Sequence, residues 1–557
     1  MKNNKAITAT LAVFCLAAAQ HTTSTVEVGS VKYLGVQNET SGINAYYGIR
    51  YAKPPMHNLR WRPPILQDPR VVPGGFVNAT TPGPACIQGF PPWQPPVNSS
   101  LVESEDCLRL DILTPKSLEG KLPVLVNIHG GGYTQGNAMP GDSLVYHSKG
   151  SLIYVAVQYR LGPLGFLAGD DVARDGSCNV GLLDQRAALE WVRQYIQYFG
   201  GDPEQVTILG LSAGGGSVAM QMILFGGQKN PPFRAAIAEY PYVPPVYSKS
   251  WFNEQYHGLL SASGCTDLNC LRHLSIDDLR SATDLATAVA YNHSQFPYGA
   301  FYWAPAVDGR TIRDYPLKEF RNGRFSKIPV LVDHDAYEGF YFTNPDTNSE
   351  QEIAATLTTL WQTANRSFVE RVMQLYPVEQ FNASLLDDLK ALPVLTGPGS
   401  ENPTVSDSFG RLQAIVAHTT IDCSTYAIAA AVASAGLSAY KMVFNAGNQL
   451  HGATIPFLYS SYINPTGADT VPMAFPNATL ATYMRDYFVS FALHEDPNKY
   501  AFGQQTPPHW PRFTESGSEV IRVEFEGTDV SVDPEKSPQC ALVIEAASGQ
   551  DRSFDEV

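Results

Sequence analysis

Val206-Thr207-Ile208-Leu209-Gly210-Leu211-Ser212-Ala213-Gly214-Gly215-Gly216-Ser217-Val218-Ala219-Met220 is the stretch that decides the fold. Its first third is a short β-prone apolar run, and its last third carries small and apolar residues suited to a packed helix. Between them stands a serine with glycine two positions to either side. A strand that turns abruptly into a helix holds such a serine in a strained conformation with its hydroxyl exposed. Side chains at Gly210 or Gly214 would collide there with the neighbouring strand and helix. The strand-then-helix setting separates this pattern from a glycine-rich helix cap.

Outward from this turn, apolar runs recur at 124–129, 152–158, 235–239, 330–333 and 439–444. Short runs of this kind, several bounded by Gly or Pro, read as strands buried on both faces of a mostly parallel sheet. Residues 185–199 and 482–494 carry apolar side chains at helical spacing. Residues 26–51 and 520–525 alternate instead, as exposed antiparallel strands do. The expected class is α/β, a large mostly parallel sheet flanked by helices. No internal repeat or low-complexity linker marks a domain boundary.

A serine hydroxyl is a poor nucleophile until a base takes its proton, and its attack on a carbonyl creates an oxyanion. His129-Gly130-Gly131-Gly132-Tyr133 follows the run 124–128 and can turn backbone amides inward. The amides of Gly131 and Gly132, with that of Ala213, are candidate oxyanion donors. In a fold of this kind the order is serine, acid, histidine, so the base lies after Ser212. His451 follows the strand-like run 439–444 and is the candidate; His494 ends a helical stretch and His418 lies within one. The acid would fix the imidazole tautomer and stabilise the imidazolium. Asp333, Asp335 and Glu338, all at the end of the run 330–333, are open alternatives on spacing.

The chain has 557 residues, 44% apolar and 16% charged, which excludes disordered, collagen-like and coiled-coil classes. Its net charge of −15 repels phosphate backbones and anionic lipid, which argues against nucleic-acid binding and a polybasic membrane anchor. Lys2 and Lys5, the apolar run 6–19 and the small residues Ala17-Ala18-Ala19 read as a signal peptide over 1–19. No later segment reaches 18 uninterrupted apolar residues, and 548–557 is polar, unlike a lipid-anchor tail. A released, extracellular protein is expected.

Cys15 leaves with that signal, and Cys86, Cys107, Cys178, Cys265, Cys270, Cys423 and Cys540 remain. An odd number in an oxidising compartment implies disulfides and one leftover thiol. Glycosylation sequons stand at Asn38, Asn78, Asn98, Asn292, Asn365, Asn382 and Asn477.

The chain resembles the type B carboxylesterases, α/β-hydrolases that include cholinesterases and secreted fungal esterases and lipases. The resemblance rests on Tyr47-Gly48-Ile49-Arg50-Tyr51-Ala52, Trp61-Arg62-Pro63-Pro64, Glu105-Asp106-Cys107-Leu108 and the His-Gly-Gly-Gly loop. It continues through Tyr159-Arg160-Leu161-Gly162-Pro163-Leu164-Gly165-Phe166, Gly181-Leu182-Leu183-Asp184-Gln185-Arg186, Phe199-Gly200-Gly201-Asp202-Pro203 and the serine turn, ending near His509-Trp510-Pro511. These motifs stand in family order over most of the chain. The resemblance implies Ser212 as nucleophile, Glu338 as acid and His451 as base, with Gly131, Gly132 and Ala213 as oxyanion amides. It chooses Glu338 because the family's acid directly precedes the glycine matched by Gly339. It also implies disulfides Cys86–Cys107 and Cys265–Cys270, a third pair Cys423–Cys540, and a free Cys178. A triad spanning Ser212 to His451 must meet on one sheet, so 20–557 is expected to form one catalytic domain.

Leu211, Tyr337, Thr454 and Glu239-Tyr240 depart from commoner family residues. The lost carboxylates argue against cationic, choline-like substrates. In the family the Cys86–Cys107 loop overhangs the site, and here it is short and carries Pro91, Pro92, Trp93, Pro95 and Pro96. Proline resists helix formation, which argues against a mobile lipid-sensing lid. Trp93 and Tyr133 are candidate substrate contacts. The expected activity is hydrolysis of dispersed, hydrophobic carboxylic esters through an acyl-serine, with small-molecule esters as partners and no metal or organic cofactor. A triacylglycerol lipase and a non-catalytic adhesion or binding relative of the cholinesterases are the alternatives. The latter typically lack the nucleophile, which is present here.

Overall fold

The computed structural model describes residues 21–94, 101–245, 247–362, 366–386, 405–459, 477–503 and 505–548. The signal-peptide segment, Pro95, Pro96 and the sequons at Asn98 and Asn365 lie outside the described residues.

Among the described residues, thirteen strands form one sheet. They are β1 (His21–Val28), β2 (Val31–Asn38), β3 (Ile43–Arg50), β4 (Phe76–Asn78), β5 (Arg109–Pro115), β6 (Leu122–Ile128) and β7 (Ile153–Val157). The remainder are β8 (Gly201–Leu211), β9 (Ala235–Glu239), β10 (Val330–Asp335), β11 (Ala439–Asn445), β12 (Glu519–Glu524) and β13 (Gly527–Val532). Their spatial order is β1-β2-β3-β5-β7-β6-β8-β9-β10-β11-β12-β13, with β4 alongside β2. From β7 to β12 every neighbouring pair is parallel, whereas β1, β2, β3 and β5 form an antiparallel flank. This is the α/β-hydrolase architecture that the sequence resemblance implies.

The central strands are apolar because both of their faces are covered. On β8, Val206 and Ile208 enter one core while Leu209 enters the other; on β10, Val330 and Val332 oppose Leu331 in the same way. Helix Val180–Tyr195 packs Leu182, Leu189 and Val192 against the first face. Helix Ala478–His494 packs Met484, Phe488 and Phe491 against the second. The apolar helical run Asp407–Ser434 is long enough to cross a membrane by length and composition, but most of it is buried inside the fold.

One strand departs from expectation. Alternation at 520–525 predicts an exposed antiparallel strand, yet β12 pairs parallel with β11 and antiparallel only with β13. Val520, Ile521 and Val523 are all buried, because β13 takes the outer edge of the sheet.

Motifs far apart in sequence meet as buried pairs. Arg60 Nε donates to Glu105 Oε1 at 2.6 Å, and Arg160 Nε donates to Asp184 Oδ2 at 2.7 Å. Trp61 Nε1 donates to the Pro163 carbonyl at 2.8 Å, and Gln185 Nε2 donates to Ser217 Oγ at 2.9 Å. Removing one partner of such a buried ion pair typically costs about 3–5 kcal/mol. These motifs therefore carry structure around the serine turn rather than chemistry. Of the sequon asparagines that are described, Asn78 and Asn292 are exposed and Asn38, Asn382 and Asn477 are partly exposed.

Candidate active site

The candidate triad and oxyanion groups lie just beyond the C-terminal ends of central strands: the glycine loop after β6, Ser212 after β8, Glu338 after β10 and His451 after β11. Open α/β sheets gather their reacting groups at this edge.

Ser212 sits at φ 58° and ψ −125°, between the end of β8 and helix Ala213–Ile223. A non-glycine residue held there stores on the order of 1–3 kcal/mol of strain. The surroundings impose it: the Ser212 amide donates to the Glu239 carbonyl at 3.1 Å, and the Ser212 carbonyl accepts from Gly216 at 2.8 Å and Tyr242 at 3.0 Å. The flanking glycines are obligatory. A Cβ on Gly210 would lie 2.2 Å from the Gly214 carbonyl oxygen, and one on Gly214 would lie 2.0 Å from that of Ile128.

Ser212 Oγ–H donates to His451 Nε2 at 2.9 Å, and His451 Nδ1–H donates to Glu338 Oε2 at 2.5 Å. The His451 side chain is 12% exposed and that of Glu338 is fully buried. Glu338 Oε1 accepts from the Asp335 amide at 2.6 Å. The loops carrying Glu338 and His451 run alongside each other, with a parallel bridge between Tyr337 and Leu450.

The other two carboxylates that spacing left open have different partners. Asp333 Oδ1 accepts from the Tyr240 amide at 3.0 Å. Burial, followed by the charge of Glu338, pushes the Asp333 carboxyl up to about 8. Asp335 accepts from the Gly452 and Ala453 amides, and burial with neighbouring carboxylates raises it well above the usual range. The departures at Glu239 and Thr454 compensate each other: Thr454 Oγ1 donates to Glu239 Oε1 at 2.9 Å. His418 is bound elsewhere, accepting from the Tyr376 hydroxyl at 2.6 Å, with burial pushing it down to about 4. His494 ends its helix and packs on Tyr500.

Gly131 and Gly132 adopt φ 105° and 61°, conformations that favour glycine. Among the described residues, neither amide donates to a backbone carbonyl. Gly130 carries the loop onto Ser212: a Cβ there would stand 3.0 Å from Ser212 Cβ. His129 anchors the loop from below, stacked on Tyr159 with centroids 4.4 Å apart, and burial pushes its imidazole down to about 4. Gly136 N–H donates to Gln88 Oε1 at 2.6 Å, tying the loop to the segment between Cys86 and Cys107.

Tyr133 is not a surface for substrate. It is fully buried, with its hydroxyl donating to the Tyr242 carbonyl at 3.2 Å. Its φ of 63° turns the ring beneath the loop, into space that Gly216 leaves open. Trp93 is partly exposed; Nε1 donates to the Ala300 carbonyl at 2.8 Å, and its ring meets Phe301 at 5.4 Å and Phe342 at 6.4 Å. Phe342 and Tyr240 each present an edge contact to His451 with centroids 4.9 Å apart. No sequence motif marks Phe301 or Phe342, and Tyr240 stands out in the sequence only as a departure beside Glu239.

Disulfides join Cys86 to Cys107, Cys265 to Cys270 and Cys423 to Cys540. Cys178 is a buried free thiol, pushed up to about 11 chiefly by burial.

The family described as the carboxylesterase family matches residues 20–542. A secreted lipase of Arthroderma benhamiae is 30% identical over 472 residues, covering 80% of this chain and 78% of that protein. The carboxylesterase patB of Aspergillus clavatus is 27% identical, covering 92% and 94%. Among solved structures, Aspergillus niger EstA superposes with a TM-score of 0.79 at 27% identity, covering 94% of this chain and 99% of that one. The chain belongs to the carboxylesterase family and is an ester-hydrolysing enzyme.

Proposed function

We propose that this chain is a secreted serine carboxylesterase in which Ser212, His451 and Glu338 act as a triad within one catalytic domain. The observation that carries the reading is the continuous hydrogen-bonded line from Glu338 Oε2 through His451 to Ser212 Oγ, ending on a serine in a strained turn. His451 Nε2 takes the Ser212 proton as the oxygen attacks the ester carbonyl. Glu338 stabilises the imidazolium, and the amides of Gly131, Gly132 and Ala213 hold the oxyanion. His451 then gives its proton to the departing alcohol, leaving an acyl-serine that water cleaves by the same steps.

The preferred substrates are dispersed, hydrophobic esters. Trp93, Phe301 and Phe342 offer an apolar wall beside His451, and the loop that carries Trp93 is short and proline-rich. Secretion is supported by the signal-like sequence 1–19 and by relatives named as secreted lipases, including that of Arthroderma benhamiae. The same names favour triacylglycerol lipase activity as the second reading.

An acyl-length series on the purified protein tests both. Activity that rises smoothly with soluble ester supports the esterase, and a jump as substrate passes its solubility limit supports the lipase. Ser212→Ala is expected to keep its fold and lose turnover on the order of 10⁶-fold, as when members of a triad act as a unit. Near-normal hydrolysis by that variant rejects the assignment.

A further inference from the structure

Asp335 ends β10, three positions before Glu338, and its two functional ends face two different members of the proposed triad. Its backbone N–H donates to Glu338 Oε1 at 2.6 Å, the carboxylate oxygen that His451 does not use. Its side-chain Oδ2 accepts from the amides of Gly452 at 2.7 Å and Ala453 at 3.0 Å, the two residues that follow the base. Ala453 also donates to the Leu450 carbonyl at 2.8 Å. The regular pairing of β10 with β11 stops at Asp335 and Phe444, so the loop carrying His451 has left the ladder. Gly452 is at φ 90°, a conformation that ordinary strand pairing does not supply.

We propose that Asp335 is a positioning residue, which fixes the His451–Glu338 geometry by clamping the loop of the base to the strand that leads to the acid. The inference rests on the reading of Ser212, His451 and Glu338 as the triad. The carboxyl is fully buried and Oδ1 has no hydrogen-bond partner. Burying such a group beside Glu338 is costly, and an apolar side chain would pack there at lower cost. What an apolar side chain does not offer is one oxygen accepting from two consecutive amides. Without it the residues after His451 lose this anchor while the Tyr337–Leu450 bridge before it remains, and a displacement of about 1 Å in a reacting group costs on the order of 10²-fold in rate.

The test compares Asp335→Ala, Asp335→Leu and Asp335→Asn with the parent and with Ser212→Ala. A soluble ester is the substrate, and competent sites are counted by phosphonate titration. Asp335→Ala and Asp335→Leu are expected to lower kcat on the order of 10²-fold with KM nearly unchanged. Asp335→Asn, whose amide oxygen accepts the same two bonds, is expected to recover most of kcat. Leucine fills the volume without an acceptor, so it carries the test if the alanine variant does not fold. Parent-like kcat in the leucine or alanine variant overturns the proposal, as does an asparagine variant no better than the leucine one. Activity retained by Ser212→Ala overturns the triad reading itself, a separate outcome.

Discussion

Phe301 closes over Gly132: a Cβ built on that glycine would stand 2.1 Å from the phenyl ring. Gly132 also has φ 61°, so neither the space nor the backbone accepts a side chain. Gly132→Ala is therefore expected to turn or displace a proposed oxyanion amide. Loss of one such donor typically lowers kcat about 10²–10³-fold. Steady-state kinetics on a soluble ester, with circular dichroism to verify the fold, checks this. Unchanged kcat would remove Gly132 from the oxyanion assignment.

Through the same contact Phe301 is expected to shape acyl preference. Its ring also meets Trp93, Tyr242 and Phe342, and it is almost fully buried. Phe301→Ala is expected to shift the ratio of kcat/KM values toward longer or bulkier acyl groups. A stability loss of about 3–5 kcal/mol is expected with it, as for other buried phenylalanines. An acyl-chain series and a denaturant titration measure the two effects. An unchanged acyl profile would show that Phe301 only packs.

His334 gives the fold a pH-dependent contribution. Its Nδ1–H donates to the Asp335 carbonyl at 2.9 Å, and Nε2 lies 3.0 Å from Glu535 Oε2. Burial alone would lower its affinity for the proton, but Glu535 and Asp422 outweigh it and push the imidazole up to about 10. The folded state thus holds this proton more tightly than the unfolded chain, whose histidine titrates near about 6.5. The stabilisation is full below about pH 6.5 and is lost as pH rises toward about 10. The gap in unfolding free energy between the parent and His334→Gln should narrow as pH rises through that window. A constant or widening gap would contradict the charged His334.

The parts of this site that sequence makes visible are those fixed by local geometry. A strand turning sharply into a helix demands glycine around Ser212, and Gly210 and Gly214 meet backbone within 2.2 Å, so the constraint is written in adjacent positions. The proposed acid is not local in that sense. Asp333, Asp335 and Glu338 differ in which of them lies past the last ladder pair, and that register depends on Phe444 more than a hundred positions away. Phe301 and Phe342 reach Gly132 and His451 through tertiary packing, which no spacing announces. Tyr133 misleads for a related reason: adjacency to the glycine loop suggests the mouth of the site, while its positive φ sends the ring inward. Alternation at 520–525 predicts a strand but not its partners, and β12 is parallel on one side and antiparallel on the other.

The most direct test is to treat the native protein with a serine-directed phosphonate and locate the adduct by peptide mass spectrometry. A single adduct on Ser212 is expected, formed in step with loss of esterase activity and absent from Ser212→Ala. An adduct on a different serine, or full inactivation with Ser212 unmodified, would contradict it.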